Sequence, residues 1–305
     1  MDDFESACVT GGAGFIGSHL TDRLVDDTDV SVTVFDDLSS GCREQVPTDA
    51  TFIEADIRNT ERIRSVVESV DVVFHQAARV SVRRSIEAPV DSHGHNLDPI
   101  VSILEAAREG NTRVVFASSA AIYGDPEYTP IDESHPKAPN SPYGLEKLTA
   151  DHYCRLYHDL YGVETVSLRY FNVYGPRQRA GDYAGVIAVF HRQAGNDDPI
   201  TVDGDGTQTR DFVHVDDVVR ANLLAATTDD AAGLAFNVGT GTQISIRTLA
   251  ETIREVTGSD SDIVHTDPRP GDIDESVANI DRAREVLGYE PQYDVFEGIA
   301  VYLGE

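Results

Sequence analysis

Thr10-Gly11-Gly12-Ala13-Gly14-Phe15-Ile16-Gly17 lies between a short β-branched run, Ser6-Ala7-Cys8-Val9-Thr10, and a helical pattern over residues 15–26. Glycines at such a strand-to-helix turn permit a tight bend and let backbone N–H groups approach a diphosphate at the helix N-terminus. A second apolar run, SVTVFD, ends at Asp36, 19 residues after Gly17. A carboxylate there can accept a hydrogen bond from an adenosine ribose 2′-hydroxyl and repel a 2′-phosphate, which favours NAD over NADP. A structural turn with an exposed aspartate is the plainer alternative.

Working outward, further β-branched runs follow at 51–56, 70–75, 113–118 and 166–171, with helical stretches at 59–69, 91–109 and 142–161. Strands alternating with helices imply βαβ units, and near-continuous apolar runs imply a parallel sheet covered on both faces. The expected fold is α/β: a doubly wound parallel Rossmann sheet with a smaller, mixed C-terminal lobe. The dinucleotide domain is expected over 1–174, and 175–305 should form a discontinuous lobe. Residues 212–226 and 234–239 read as a return to the main sheet within that lobe, so 212–239 is assigned to the first domain.

Composition narrows the function classes. Fifty-three acidic residues against 24 basic ones give a formal charge of −29, with the acids spread along all 305 residues. Such a chain repels nucleic acid and anionic membranes, so neither is expected as a partner. Acidic tails are concentrated blocks, and none is present. The better reading is a surface adapted to high salt, as in a halophile. Lys137 and Lys147 are the only lysines, which makes each a candidate for a specific task. Cys8, Cys42 and Cys154 show neither metal-ligand spacing nor a pairing pattern, so no metal is expected and a reducing cytoplasm fits. No apolar stretch reaches membrane-spanning length, and the acidic start Met1-Asp2-Asp3-Phe4-Glu5 does not read as a signal peptide.

Ser141-Pro142-Tyr143-Gly144-Leu145-Glu146-Lys147 opens the 142–161 helix. Tyr143 and Lys147 are i and i+4 and share a face. A tyrosine is a poor base at neutral pH, but a nearby ammonium and a cationic nicotinamide ring favour the phenolate. A surface helix pair is the alternative. Ala117-Ser118-Ser119-Ala120-Ala121-Ile122-Tyr123-Gly124 leaves the end of a parallel strand, where ligands bind in doubly wound sheets. A serine there either bonds a reacting oxygen or simply ends the strand.

These motifs, with HQAA (75–78), LRYFNVYGP (168–176) and DGDGTQTRDFVHVDD (203–217), resemble the extended short-chain dehydrogenase/reductases of the NAD-dependent epimerase/dehydratase family, nearest the UDP-glucose 4-epimerases. The resemblance runs from about residue 6 to about residue 290. It implies that Gly11, Gly14, Phe15 and Ile16 cradle the pyrophosphate, Asp36 binds the ribose, and Asp56 and Ile57 border the adenine. Gln76, Ala77 and Ala78 would line the cofactor path, with Asn96 behind it and Tyr170 nearby. Ser119 would be the catalytic hydroxyl, Tyr143 the base and acid, and Lys147 the holder of the nicotinamide ribose. For the sugar nucleotide it implies Ser81, Ser119, Tyr143, Asn172, Val186, Arg210, Arg269, Asp272 and Ser276. Arg210 and Arg269 suit a diphosphate clamp. Taken without the resemblance, each is equally an arginine balancing an acidic surface.

Within that family, dehydratases carry an Asp-Glu pair after the catalytic hydroxyl, where this chain has Ala120 and Ala121. Without an extra acid or base a 4-keto intermediate can only be re-reduced, which implies 4-epimerisation of a UDP-hexose with recycled NAD. The alternatives are a UDP-glucuronate 4-epimerase, where a basic residue such as Arg83 could serve the carboxylate, or a keto reductase or dehydrogenase that releases its cofactor. A dinucleotide-sensing protein without activity would be expected to have lost Ser119, Tyr143 or Lys147. The resemblance also implies a homodimer formed through the helices at 91–109 and 142–161.

Overall fold

A computed structural model describes residues 4–27, 29–178, 185–269 and 271–304. Six strands of the first half, β1 (Ser6–Thr10), β2 (Ser31–Asp36), β3 (Thr51–Glu54), β4 (Val72–His75), β5 (Arg113–Ser119) and β6 (Thr165–Tyr170), are joined by helices. The helices are α1 (Phe15–Asp27), α2 (Thr60–Val67), α3 (Val82–Glu87), α4 (Pro89–Asn96), α5 (Asp98–Gly110) and α6 (Pro142–Tyr161). The second half adds β7 (Asn172–Tyr174), α7 (Val186–Gly195), β8 (Ile200–Asp203), β9 (Thr209–Arg210), β10 (Phe212–His214) and α8 (Val215–Thr227). It continues with β11 (Ala235–Val238), β12 (Ile244–Ser245), α9 (Ile246–Thr257), β13 (Ile263–Thr266), β14 (Glu275–Ser276) and α10 (Val295–Gly304).

The main sheet has the order β3-β2-β1-β4-β5-β6-β11 and every pairing in it is parallel. The first six strands follow the 3-2-1-4-5-6 order of dinucleotide folds, whose switch point lies between β1 and β4. Register aligns Thr10 with both Phe35 and His75, and His75 with Phe116, so the carboxyl ends of the central strands form one edge.

Alternation along each strand explains the two-sided burial. Ala7 and Val9 of β1, Phe74 of β4, and Val115 and Ala117 of β5 join one core with Leu20 and Leu24 of α1 and Val218 of α8. Cys8, Val73, Val114 and Phe116 join the other, with Ile63 of α2, Ile103 of α5 and Ala150 of α6. Each buried Val, Leu, Ile or Phe side chain contributes roughly 1.5–3 kcal/mol. A third core, with Phe190, Val202, Leu249 and Ile253, holds the second lobe together.

Two expectations about elements need correction. The helix expected over 91–109 is two helices, α4 and α5, meeting at Leu97. Pro99 in the first turn of α5 has no N–H to continue α4, and its ring excludes a straight path. Residues 212–214 do not enter the main sheet: β10 pairs with β7 in a separate two-stranded sheet. α8 covers the main sheet, and β11 extends it beside β6.

Candidate active site

Gly11 adopts φ +69°, and a Cβ there would lie 2.8 Å from the amide nitrogen of Ala77. Glycine therefore lets the β1–α1 loop press against Gln76–Ala78, the turn after β4. Gly14 N donates to Gly11 O at 3.0 Å, and a Cβ on Gly17 would lie 2.9 Å from Gly12 Cα, so α1 begins hard against its own loop. In a chain with 53 acidic residues, the first turn of α1 has none. That leaves the positive end of the helix dipole for an anion.

Around this loop runs a cleft of about 470 Å³, lined by Gly11, Gly14, Phe15, Ile16, Asp36, Ile57, Gln76, Ala77 and Ala78 among the residues expected to hold a cofactor. Asp36 is almost fully buried at the end of β2. One oxygen accepts from Ala13 N at 3.0 Å and the other from Leu38 N at 2.8 Å. Burial pushes its carboxyl pKa up and these two amides pull it down. A glycine cradle at a helix N-terminus, with a fixed carboxylate at the adjoining strand end, fits a dinucleotide without a 2′-phosphate.

Asp56 does not line the cleft. It is bound by the Arg58 guanidinium at 2.5–3.1 Å, which lowers its pKa to about 2. Asn96 stands behind the wall, its Oδ1 accepting from Arg79 N at 2.7 Å and its Nδ2 donating to Arg79 O at 3.1 Å. Tyr170 lies deeper, sharing hydrogen bonds with Gln76 and Asn222. Asn222 was not foreseen, because it comes from α8, far along the chain. Arg79, Val80, Val173, Arg177 and Gln178 also line the cleft without having been expected.

Ser141 caps α6 through Gly144 N at 3.2 Å, and Pro142 occupies the first turn, so Tyr143 sits near the start of a rigid helix. Tyr143 is 8% exposed. Burial raises its phenol pKa to about 12, the Ser119 hydroxyl bonds to it and pulls the value down, and Glu146 raises it. Ser119 also caps the short turn after β5, accepting from Ala121 N at 3.2 Å. Its neighbour Ser118 points instead to buried Asp151 at 3.3 Å, which separates the two serines by function. Lys147 is 3% exposed, donates to Ala117 O at 2.7 Å and stands 4.8 Å from the Phe116 ring. Burial lowers its pKa to about 8 against the opposing charge of Glu146. The three expected catalytic residues thus meet at the carboxyl end of β5, followed by the uncharged Ala120 and Ala121.

The second lobe gathers the other candidates less tightly. Asn172 in β7 donates from its backbone and side chain to Asp211 O, each at 3.1 Å. β14 pairs with β9 so that Ser276 lies opposite Arg210. Arg210 in turn bonds Asp272 at 2.5 Å. Val186 begins α7. Ser81, the N-cap of α3, accepts from Arg84 N at 3.2 Å. The Arg269 side chain is 72% exposed and paired with Asp203 at 3.0 Å, whereas that of Arg210 is paired with Asp272, whose own N–H donates to Arg269 O at 3.2 Å. Asp211 was missed: its buried carboxylate accepts from Thr240, Gly241 and Ala278 and fixes the segments that carry Asn172, Arg210 and Ser276. Among the described residues no cluster of His, Cys, Asp or Glu could hold a metal, and no helix is long and apolar enough to cross a membrane.

The model of the NAD dependent epimerase/dehydratase family matches residues 7–239. The chain belongs to that family. A putative UDP-glucose 4-epimerase of Methanocaldococcus jannaschii is 42% identical over 295 residues, covering 95% of each chain. The UDP-glucose 4-epimerase of Thermotoga maritima, solved with UDP-glucose, superposes with a TM-score of 0.94 at 36% identity, covering 98% of this chain and 97% of that one. A UDP-N-acetylglucosamine 4-epimerase of Methanobrevibacter ruminantium, solved with UDP-N-acetylmuramic acid, gives 0.94 at 37% identity, covering 100% and 98%.

Proposed function

We propose that this family member is an NAD-dependent UDP-hexose 4-epimerase working through a 4-keto sugar. The observation that carries this reading is the meeting of Ser119, Tyr143 and Lys147 at the end of β5, with alanines where a dehydratase has its acid and base. Tyr143 takes the C4 hydroxyl proton and later returns it, and the Ser119 hydroxyl orients the same oxygen. Lys147, charged below its lowered pKa of about 8, would hold the nicotinamide ribose, and its positive charge would favour the Tyr143 phenolate. NAD, when bound, supplies a reversible hydride acceptor for C4, and return to the opposite face gives the epimer without net redox change. Ala120 and Ala121 leave the keto sugar no side chain to assist elimination.

In this reading the first domain, residues 1–174 with 212–239, holds NAD, and the remainder of 175–305 holds the UDP-sugar. The buried, small Ser276 opposite Arg210 favours acceptance of the N-acetylated pair beside glucose and galactose. Leu145, Leu156, Leu160 and Tyr161 are exposed along α6 and support a homodimer through that helix. A cytoplasmic site of action accords with the three free cysteines.

Incubation with UDP-glucose and a trace of NAD, followed by NMR of the sugar, tests the reaction. UDP-galactose should accumulate to equilibrium. Stoichiometric NADH without a C4 epimer points instead to a dehydrogenase.

A further inference from the structure

Glu146 stands between Tyr143 and Lys147 in sequence and is 5% exposed. A carboxylate buried beside a catalytic pair is costly unless its bonds are satisfied. Among the described residues it forms no ion pair. Its Oε2 accepts from Ser92 Oγ at 2.8 Å and Asn96 Nδ2 at 2.7 Å, both on α4. Asn96 then grips both the N–H and the C=O of Arg79, and Arg79 and Val80 form part of the cofactor wall. The next residue, Ser81, caps α3, and Ser85 of α3 accepts from Tyr143 N at 3.2 Å. The bonds therefore form a closed circuit that leaves α6 at Glu146 and returns to it at Tyr143.

We infer that Glu146 is a positioning residue: through Asn96 it fixes the Arg79–Ser81 turn that walls the cofactor cleft, and it sets a negative charge among the catalytic groups. The inference rests on the epimerase reading. Lys147 is faced by Glu146 and Cys154 on its own helix and by His75 from β4. Tyr143 is faced by Glu146 and by Ser119 from the end of β5. The Glu146 charge raises the pKa of both Lys147 and Tyr143. Removing it lowers both, so both limbs of a bell-shaped kcat/KM profile move to lower pH. A purely structural residue would lower stability without moving the profile.

Two variants of the full chain separate the roles. Glu146→Gln keeps an acceptor for Asn96 and loses the charge. Its NAD(H) affinity, read by fluorescence titration, should stay close to that of the wild type while its pH profile moves acidward. Asn96→Ala keeps the charge and loses the grip on Arg79. Its NAD(H) dissociation constant should rise about ten-fold, as expected for buried partners left unpaired, with the limbs unmoved. A Glu146→Gln profile that superimposes on the wild type, or an Asn96→Ala variant that binds NAD(H) undiminished, overturns the inference while the epimerase reading stands. A wild-type protein that binds no NAD(H) overturns both.

Discussion

Lys147 Nζ donates to the carbonyl of Ala117 at 2.7 Å, two residues before Ser119, so the strand end that presents the hydroxyl also anchors the lysine. Burial brings that lysine from its ordinary range down to about 8. A lysine with a lowered pKa is charged below the lowered value and loses its charge as pH rises through it. Activity should therefore decline on the alkaline side near pH 8, and Lys147→Met should lose that limb along with much of its turnover. Tyr143→Phe should cut kcat roughly 10²–10⁴-fold, as for loss of a positioned acid/base, while UDP-sugar binding persists. Near-normal kcat in Tyr143→Phe ends the mechanism.

Cofactor choice turns on Asp36. Its carboxylate is held by Ala13 N and Leu38 N, so Asp36→Asn retains one acceptor oxygen and should fold. The variant loses the charge that repels a 2′-phosphate, and its preference for NAD over NADP should narrow. Purified wild-type protein should release NAD, not NADP, on acid extraction. Wild-type preference for NADP would remove Asp36 from the role.

The legibility of these sites follows the distance over which a signal is written. The glycine loop, Asp36 and Tyr143/Lys147 each occupy one turn or one strand end, and the sequence pattern displays them whole. Glu146 sat inside the same motif as Tyr143, yet its partners Ser92 and Asn96 lie about 50 residues away. Nothing local told that it faced inward. Asn222 acts across 146 residues to Gln76, and Asp211 across 67 to Ala278. Arg210 and Arg269 looked equivalent as cations, and only the β9–β14 pairing and the separate Arg269–Asp203 contact divide them. The split at Leu97 follows from Pro99 in the first turn of α5, a single residue that a helical stretch over 91–109 does not take into account.

Beside Ser118 the protein depends on a buried ion pair. Arg169 of β6 holds Asp151 of α6 in a bidentate contact at 2.9 and 3.0 Å, and its other nitrogen donates to Tyr123 and to Glu133 O. Asp151 is 0% exposed. Asp151→Ala leaves a guanidinium buried without its partner, and such losses cost about 3–5 kcal/mol. Urea unfolding should show a lower midpoint with the slope preserved. A loss below about 1 kcal/mol would show that relaxation or water replaces the pair, against the usual cost of an unpaired buried charge.

The −29 charge makes stability depend on salt. The screening length is about 30 Å at 0.01 M and about 3 Å at 1 M. Repulsion among the distributed carboxylates should thus be strong in dilute buffer and nearly absent in molar salt. Melting temperature is expected to climb with added KCl and activity to follow. A melting temperature indifferent to KCl across that range would falsify the reading of a surface adapted to high salt.

Substrate size turns on Ser276. Ser276 is 4% exposed in β14 and lies opposite Arg210 of β9, and parallel neighbours project side chains to the same face. Arg210, bound to Asp272, marks where a diphosphate clamp is proposed, so Ser276 stands beside the proposed sugar-nucleotide path. An N-acetyl group on C2 needs volume while the keto sugar turns, and serine leaves room that an aromatic ring would take. The wild type should therefore convert UDP-N-acetylglucosamine as well as UDP-glucose. Ser276→Tyr should abolish the first activity selectively and spare most of the second. Because the site is buried, the phenol could instead disturb β14 and lower both activities together. Comparing kcat/KM for both sugars in both proteins, with melting temperatures alongside, separates these results. A selective loss supports a wall at Ser276. An equal loss, or a wild type inactive on the acetylated sugar, places the wall elsewhere.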